Sequence, residues 1–257
     1  MSPDLPALIR RAQARLLEMH FNAKIGHIGG NLSSLDALLV LHHSILGEDD
    51  VFVLSKGHGA GALYVALWSK GAISDDQLNQ FHQDGVKLAG HPSAGWHPEI
   101  RFATGSLGHG LGLAAGTALS RKLQGRPGRI FCLMSDGEWQ EGSVWESLIF
   151  TAHHRLDNLT VLIDLNGLQG FGSTREVASM QDLQSRIQSF QVDTETVDGH
   201  DPQALLGSLQ RSSSRPRFLL MKTVKGHGVS FMENRMEWHY LPLDESHYRA
   251  ALRELDA

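Results

Sequence analysis

Residues 135–170, SDGEWQEGSVWESLIFTAHHRLDNLTVLIDLNGLQG, decide the predicted fold. The largely apolar residues 129–134 lie directly before this stretch and predict a buried strand that delivers Asp136 to its end. Residues 159–165 predict a second buried strand, which ends at Asn166. Between the two strands, apolar residues recur at helical spacing, namely Val144, Leu148, Ile149 and Ala152. The stretch is therefore predicted to be a strand–helix–strand unit of a parallel sheet.

The two predicted strand ends bring Asp136 and Asn166 to one edge of the sheet, where open parallel sheets bind ligands. Magnesium prefers hard oxygen ligands and is commonly held by one or two carboxylates together with ligand phosphates. Gly137 allows the backbone to approach a phosphate closely. An Asp-Gly or Asn-Gly dipeptide alone is more typical of an ordinary turn. Two of them at neighbouring strand ends favour a site for a divalent ion and a phosphate.

The chain before this stretch alternates between helix and strand patterns. Apolar residues within residues 5–19 predict an amphipathic helix, and Ser33 or Ser34 is predicted to cap a second helix. Residues 51–55 predict a short buried strand. The glycine-rich turn after that strand brings backbone amides to an anion and places His58 at the entrance of a helix.

The rest of the chain continues the alternation. Ser74 and Gln77 form a capping-box pattern for a short helix, and residues 85–103 are predicted to be irregular. Further predicted elements are a glycine-opened helix within residues 104–125, a helix over residues 178–190, a strand over residues 191–197, a helix from Asp201 to Gln210, a strand over residues 217–223 and a C-terminal helix from Asp244. This order predicts an α/β fold with a doubly wound parallel sheet and helices on both faces.

Length and composition narrow the class of protein. A chain of 257 residues with 41% hydrophobic residues can bury a core as a single domain, predicted to span residues 1–257. A net charge of −5 without a basic run argues against nucleic acid and anionic membranes as partners. The lone Cys132 cannot form an intrachain disulfide, and no secretion signal or membrane-spanning stretch is present. We therefore expect a soluble, cytoplasmic protein.

Fifteen histidines are many for this length, but the sequence has no second cysteine and no HExxH pattern for zinc. Four histidines lie in glycine-containing or irregular segments: His27 in GHIGG, His58 in SKGHGAGALY, His91 in AGHPS and His239 in FMENRMEWHY. His91 precedes a proline and is thereby held out of helical geometry. Each histidine alone is more typical of a solvated loop than of a functional site.

These motifs together resemble the thiamine-diphosphate signature, in which an Asp-Gly pair is followed roughly thirty residues later by Asn. Here the interval from Asp136 to Asn166 is thirty residues. EGSVWES and LDNLTVLIDLNGLQ resemble transketolases, and specifically the N-terminal subunit of split transketolases. Ser135 stands where that family usually has Gly, and His109 stands where it typically has Gln. The resemblance covers nearly the whole chain, with the motifs in the family's order.

The resemblance implies a role for each matching residue. It implies that Asp136, Asn166 and the backbone carbonyl of Leu168 hold the divalent ion. It implies that the cofactor is contacted by His58, Gly105, Ser106, Leu107, Gly137, Glu146 and Asn166. Catalytic positions would be His27, His91 and His239, which face the substrate, and Glu141, which lies with Glu146 near a subunit interface. Imidazole suits proton transfer because its pKa lies close to neutrality.

The implied activity is transfer of a two-carbon ketol unit from a ketose, expected to be phosphorylated, to an aldose. The cofactors implied are thiamine diphosphate and Mg²⁺ or Ca²⁺. The family's pyrimidine-binding and C-terminal domains are absent from this sequence and are expected on a partner chain, in a heterotetramer. The alternatives are a subunit of another thiamine-diphosphate enzyme acting on a specialised sugar or a 2-oxo acid, and a non-catalytic cofactor-binding paralogue.

Overall fold

Five parallel strands form the central sheet of the computed structural model, which describes residues 4–255. Together with two short strands outside this sheet, the strands in chain order are β1 (Val51–Leu54), β2 (Ile130–Ser135), β3 (Leu159–Leu165), β4 (Leu168–Gln169), β5 (Gly172–Ser173), β6 (Asp193–Asp198) and β7 (Arg217–Lys222). The order across the sheet is β1-β2-β3-β7-β6, and every pairing in it is parallel. The short strands β4 and β5 form a separate antiparallel hairpin.

Ten helices connect and cover the strands within the described residues. They are α1 (Leu5–Ala23), α2 (Ile28–Val40), α3 (Ala60–Ser69), α4 (Asp75–Leu78), α5 (Gly110–Leu123), α6 (Gly142–His153), α7 (Thr174–Ala178), α8 (Leu183–Gln188), α9 (Pro202–Gln210) and α10 (Glu245–Leu255). A π-helical turn (Leu41–Ile45) extends α2, and 3₁₀ turns lie at Gly57–Gly59, Gly137–Gln140 and Met236–His239.

The sheet separates two apolar cores because side chains alternate across each strand. In β2, Phe131 and Leu133 pack in one core with helices α1, α2, α3, α9 and α10. Ile130, Cys132 and Met134 pack in the other core with α5, α6 and α8. A parallel sheet buried on both faces explains why these strands are apolar without a polar side. The predicted doubly wound α/β fold with helices on both faces is confirmed.

The chain leaves the neighbouring strands β3 and β7 toward opposite faces of the sheet. After β3 it reaches α8 on one face, and after β7 it reaches α10 on the other. Connections that leave neighbouring strands in opposite directions open a crevice at the carboxyl ends of those strands, which is where such sheets bind ligands. Asn166 follows β3 directly and Lys225 follows β7 by three residues, so both lie at this crevice.

The prediction that Ser33 or Ser34 caps the second helix is wrong, because α2 already begins at Ile28. Both serines lie inside the helix: the Ser34 hydroxyl donates to the Gly30 carbonyl at 3.1 Å, and the Ser33 hydroxyl lies 3.1 Å from the same oxygen while its proton goes to the Asp164 carboxylate. The glycines of this segment do not break the helix; they allow close packing. A Cβ at Gly29 would lie 3.2 Å from the Lys225 side chain.

Two further predictions of secondary structure need correction. Residues 178–190 do not form one helix, since α7 ends at Ala178 and α8 covers only Leu183–Gln188. The β4–β5 hairpin was not predicted, because two-residue strands have too few positions to show a periodic pattern. The capping box at Ser74 and Gln77 and the start of α9 at Asp201 are confirmed by their side-chain hydrogen bonds.

No helix within residues 4–255 is both long enough and apolar enough to cross a membrane.

Candidate active site

A cleft with a volume of about 400 Å³ lies at the carboxyl ends of β2 and β3. Most of the residues singled out in the sequence line it: His27, His58, His91, Gly105, Leu107, Asp136, Gly137, Glu141, Asn166, Leu168 and His239. Ser106 and Glu146 are exposed and are not among the lining residues. The fold thus gathers segments that are far apart in the sequence into a single site.

Asp136 forms the floor of the cleft with its carboxylate held by two backbone amides. Gly137 N–H donates to Oδ1 at 2.8 Å, and Gly167 N–H donates to Oδ2 at 2.6 Å. Burial raises the pKa of Asp136 to about 7, with a further contribution from the nearby Asp164 carboxylate. A buried carboxylate beside a second carboxylate is the arrangement that a bound cation stabilises.

Asn166 lies beside Asp136, as the pairing of β2 with β3 requires. Its Oδ1 accepts from Leu168 N–H at 3.0 Å, and its Nδ2 donates to Asp164 Oδ2 at 3.2 Å. The amide oxygen keeps a second lone pair, because a carbonyl oxygen carries two. Carboxylate, amide and backbone oxygens at one place form a donor set that suits a hard divalent cation.

Four histidine rings meet in the same cleft as Asp136. The His27 ring centroid lies 5.7 Å from that of His58, 5.9 Å from that of His91 and 5.2 Å from that of His239. Burial lowers the pKa of each ring, to about 4 for His27 and about 3 for His239. At neutral pH all four are therefore neutral and can donate and accept hydrogen bonds within the cleft.

The backbone at His27 fixes the geometry of this histidine cluster. His27 has a φ of 70°, in the left-handed region, at the residue before α2. Its N–H donates to the His239 carbonyl at 3.0 Å, which links two segments near opposite ends of the chain. A left-handed conformation at a residue other than glycine is uncommon and is often associated with functional sites.

Lys225 also lines the cleft, although no pattern in the sequence singled it out. Its Nζ lies 2.9 Å from His239 Nδ1 and 3.4 Å from the Leu168 carbonyl oxygen. Burial lowers the pKa of Lys225 to about 8, so it is mostly protonated at neutral pH. An ammonium can only donate, so Nδ1 of His239 accepts and its ring proton lies on Nε2. The sequence signal that could have identified Lys225 is its position in the glycine-rich VKGHG segment.

The segment that carries Lys225 is held by a hydrogen-bonded pair of Asp36 and His200. Val224 N–H donates to His200 Nε2 at 2.8 Å, so the His200 proton lies on Nδ1 and points toward Asp36 Oδ2 at 2.7 Å. Gly226 N–H donates to the Gly29 carbonyl at 2.9 Å. With both His200 nitrogens engaged, this pair orients the loop and leaves no free nitrogen for a metal.

A buried ion pair supports Asn166 and the cleft floor. Lys56 Nζ contacts Asp164 Oδ2 and donates to the Gly30 carbonyl at 2.8 Å. Asp164 also accepts from the hydroxyls of Ser33, at 2.7 Å, and Thr223. Burial alone would raise the pKa of Asp164, but the Lys56 ammonium and the hydrogen bonds hold it below its usual value. Breaking such a pair by removing one partner is strongly destabilising.

Glu138 is a buried carboxylate that ties the end of β1 and the segment before α5 to the end of β2, and it too was missed in the sequence. It is fully buried, and its carboxylate accepts from Gly108 N–H at 3.1 Å, Ser135 N–H at 2.8 Å and the Ser55 hydroxyl. The Ser135 hydroxyl adds a bond of 3.2 Å to Glu138. Ser135 therefore ends β2 with its side chain directed at a buried carboxylate.

The glycine-rich segment before α5 lines the cleft with Gly105 and Leu107. Gly105 has a φ of 141°, and a Cβ there would approach the His91 ring to 2.7 Å, so only glycine fits. His109 is exposed, and its Nδ1 lies 3.2 Å from the carbonyl oxygens of Ser106 and Leu107. It stabilises this segment locally and is not among the residues that line the cleft.

Fold and cleft together define a doubly wound α/β protein with its ligand site at the carboxyl edge of a parallel sheet. The family model described as "Transketolase, thiamine diphosphate binding domain" matches residues 13–256. The chain therefore belongs to the transketolase family of thiamine-diphosphate-dependent transferases, in the part of that family that binds the cofactor.

Individual relatives define the match more narrowly. The chain is 37% identical to one subunit of the apulose-4-phosphate transketolase of Phocaeicola vulgatus, covering 94% of this chain and 90% of the relative. It is 33% identical to 6-deoxy-6-sulfo-D-fructose transketolase subunit SqwG of a Clostridium species, covering 90% and 89%. It superimposes on transketolase from Campylobacter jejuni with a TM-score of 0.90 at 26% identity, covering all of this chain and 43% of that one. The chain thus spans less than half of that transketolase but nearly all of the two subunits.

Proposed function

We propose that this chain is the diphosphate-binding subunit of a two-chain transketolase that moves a two-carbon ketol unit from a ketose to an aldose. The observation that carries the proposal is the meeting of Asp136, Asn166 and four neutral histidines in one cleft. The nearly full-length match to proteins that are themselves named as transketolase subunits supports a partner chain. The named substrates of the relatives support a phosphorylated or similarly anionic sugar.

The proposed assembly follows from the same matches. Residues 1–257 would act as one diphosphate-binding domain, and the pyrimidine-binding and C-terminal domains would lie on the partner, with two copies of each chain. A reducing cytoplasm is the proposed compartment, since Cys132 is the single cysteine and is fully buried.

The cleft suits thiamine diphosphate with Mg²⁺ or Ca²⁺. Asp136, Asn166 and the Leu168 carbonyl would hold the ion, whose charge would offset the burial that raises the pKa of Asp136. Gly137 would lie against the diphosphate, and His58 and Lys225 would hold it, since an imidazole and an ammonium can both donate to phosphate oxygens.

When bound, the cofactor supplies a nucleophilic carbon and an electron sink for the carbanion. The chain's residues supply position and protons. With Nδ1 occupied by Lys225, His239 presents Nε2–H to the substrate and can donate a hydrogen bond to its oxygen. The neutral rings of His27 and His91 can bind hydroxyls and carry protons nearby.

The proposal is tested by supplying the assembled enzyme with a ketose phosphate and an aldose phosphate and following both products by mass spectrometry. Transfer of two carbons from one sugar to the other is the expected result. Decarboxylation of a 2-oxo acid without sugar transfer would favour the alternative enzyme class. Cofactor binding without turnover of either substrate would favour a non-catalytic paralogue.

Replacing His239 by alanine is expected to reduce turnover far more than cofactor affinity. The variant loses the Nε2–H donor on the substrate side, and acid–base groups contribute about a hundredfold to ten-thousandfold to the rate. Steady-state kinetics of the assembled enzyme and calorimetry with thiamine diphosphate and Mg²⁺ measure the two effects. His153→Ala, at an exposed position near the end of α6, is the matched control. Equal losses of rate and cofactor affinity would instead assign His239 to the cofactor.

Binding of Mg²⁺ with thiamine diphosphate is expected to weaken about tenfold for each pH unit below 7. Binding requires the Asp136 carboxylate, whose pKa is raised to about 7, so protons compete with the ion. The ion-free protein should instead lose stability as the pH rises from about 4 through 7. The reason is that folded Asp136, with its raised pKa, holds its proton more tightly than the unfolded chain does. Calorimetry from pH 5.5 to 8 measures the binding, and the melting-temperature difference between wild type and Asp136→Asn isolates the stability effect. A pH-independent affinity would contradict the assignment.

A further inference from the structure

The Tyr240 side chain lies in the cleft directly against Gly170. A larger residue at position 170 would leave no room for it. Its hydroxyl donates to the Gly170 carbonyl at 2.9 Å. A Cβ on Gly170 would overlap the Tyr240 hydroxyl oxygen and would lie 3.5 Å from His239 Nε2. The Tyr240 hydroxyl and the substrate-facing nitrogen of His239 therefore both lie beside Gly170, close enough together for one small polar group to contact both.

The two groups have complementary hydrogen-bonding capacity. Lys225 donates to His239 Nδ1, so Nε2–H of His239 is a donor on the cleft side. Tyr240 uses its proton on Gly170, so its oxygen keeps lone pairs that can accept. A neighbouring donor and acceptor match a hydroxyl group, because its oxygen can accept from His239 and its proton can be donated to Tyr240.

The position of Tyr240 indicates which part of a substrate it reaches. Asp136, at the floor where the ion would lie, is 4% exposed, whereas Tyr240 is 53% exposed and lies on the open side of the cleft. Its ring packs edge-on against His239 with centroids 4.7 Å apart, which fixes its direction. A group on the open side meets the part of a sugar that lies away from the cofactor.

We propose that Tyr240 is a specificity-determining residue which, together with His239 Nε2, binds a sugar hydroxyl beyond the two transferred carbons. The inference rests on the proposed function and names the substrate group that the site recognises. Gly170 is the matching positioning residue, because any larger residue there displaces the Tyr240 hydroxyl.

Two ketol-donor substrates distinguish binding of this hydroxyl from the other steps of the reaction. L-Erythrulose and hydroxypyruvate deliver the same two-carbon unit, but only L-erythrulose carries hydroxyls beyond it. In the assembled enzyme with D-ribose 5-phosphate as acceptor, Tyr240→Phe is expected to lower kcat/KM about threefold to tenfold for L-erythrulose, the usual effect of one neutral hydrogen bond. The value for hydroxypyruvate should stay within about twofold, as should cofactor affinity.

Gly170→Ala tests the same contact from the other side. It is expected to reduce L-erythrulose turnover in the wild-type background and to have a much smaller effect in the Tyr240→Phe background, where the displaced hydroxyl is already gone. Equal effects in both backgrounds, equal losses with both donors, or weaker association of Tyr240→Phe with the partner chain would each overturn the assignment. A wild-type enzyme that turns over neither donor would contradict the proposed function instead.

Discussion

Asp136→Ala is expected to abolish Mg²⁺-dependent binding of thiamine diphosphate and all cofactor-dependent activity while leaving the fold intact. Asp136 directly follows β2, lines the cleft and belongs to neither apolar core, so its removal leaves both cores unchanged. It also removes a buried charge whose pKa is already raised by burial and by Asp164. Groups that only orient metal ligands contribute about 10- to 100-fold to affinity, so loss of a ligand itself should cost more.

The measurements are circular dichroism for the fold and calorimetry for the cofactor with Mg²⁺. Asp136→Asn is the isosteric variant that removes charge alone, and Asp84→Ala, at an exposed position, is the control. A folded Asp136→Ala protein that binds the cofactor normally would refute the ion site.

This chain alone is expected to show no ketol transfer and to bind thiamine diphosphate weakly, with both restored by a chain carrying the pyrimidine-binding domain. Apolar side chains at the rim of the cleft support a covering partner: Leu107 is 37% exposed, Val177 42% and Phe171 85%. A cofactor bound only between two subunits stabilises their association, because it shifts the equilibrium toward the assembled state. Assembly should therefore depend on cofactor.

Light scattering and a coupled transfer assay, on each chain and on the mixture, test this expectation with and without thiamine diphosphate and Mg²⁺. Replacing Phe171 by Ser should weaken assembly, and replacing Leu123 by Ser is the control, since Leu123 is also exposed but does not line the cleft. Full activity from this chain alone at high purity would refute the divided site.

The sheet and its two strand ends could be predicted because their signals are local. Largely apolar runs marked β2 and β3 within one residue of their observed bounds, and Asp136 and Asn166 followed directly. The start of α2 could not be predicted, since the packing of Gly29 and Gly30 against Lys225 and His58 outweighs their low helix propensity.

The buried charges of the site were missed for a different reason. Lys56 and Asp164 are 108 residues apart in sequence, and Ser55 and Glu138 are 83 apart. A lysine or glutamate is normally a surface residue, and only its partner in the folded chain makes burial tolerable. Local patterns carry no information about such partners. The four histidines were likewise ambiguous singly and became one site only through the family resemblance.

The hydrogen bond from His27 N–H to the His239 carbonyl has a consequence for synthesis of the chain on the ribosome. In the sheet, β1 likewise cannot pair until β2 has been synthesised, since Val51 pairs with Ile130. Contacts of such long sequence separation form slowly because loop-closure entropy must be overcome first. The N-terminal helices can collapse early, but the histidine cluster cannot close until residue 239 has emerged. We therefore expect a nascent chain to carry an incompletely paired sheet for most of its synthesis, and the cleft to become able to bind a ligand only in a late step.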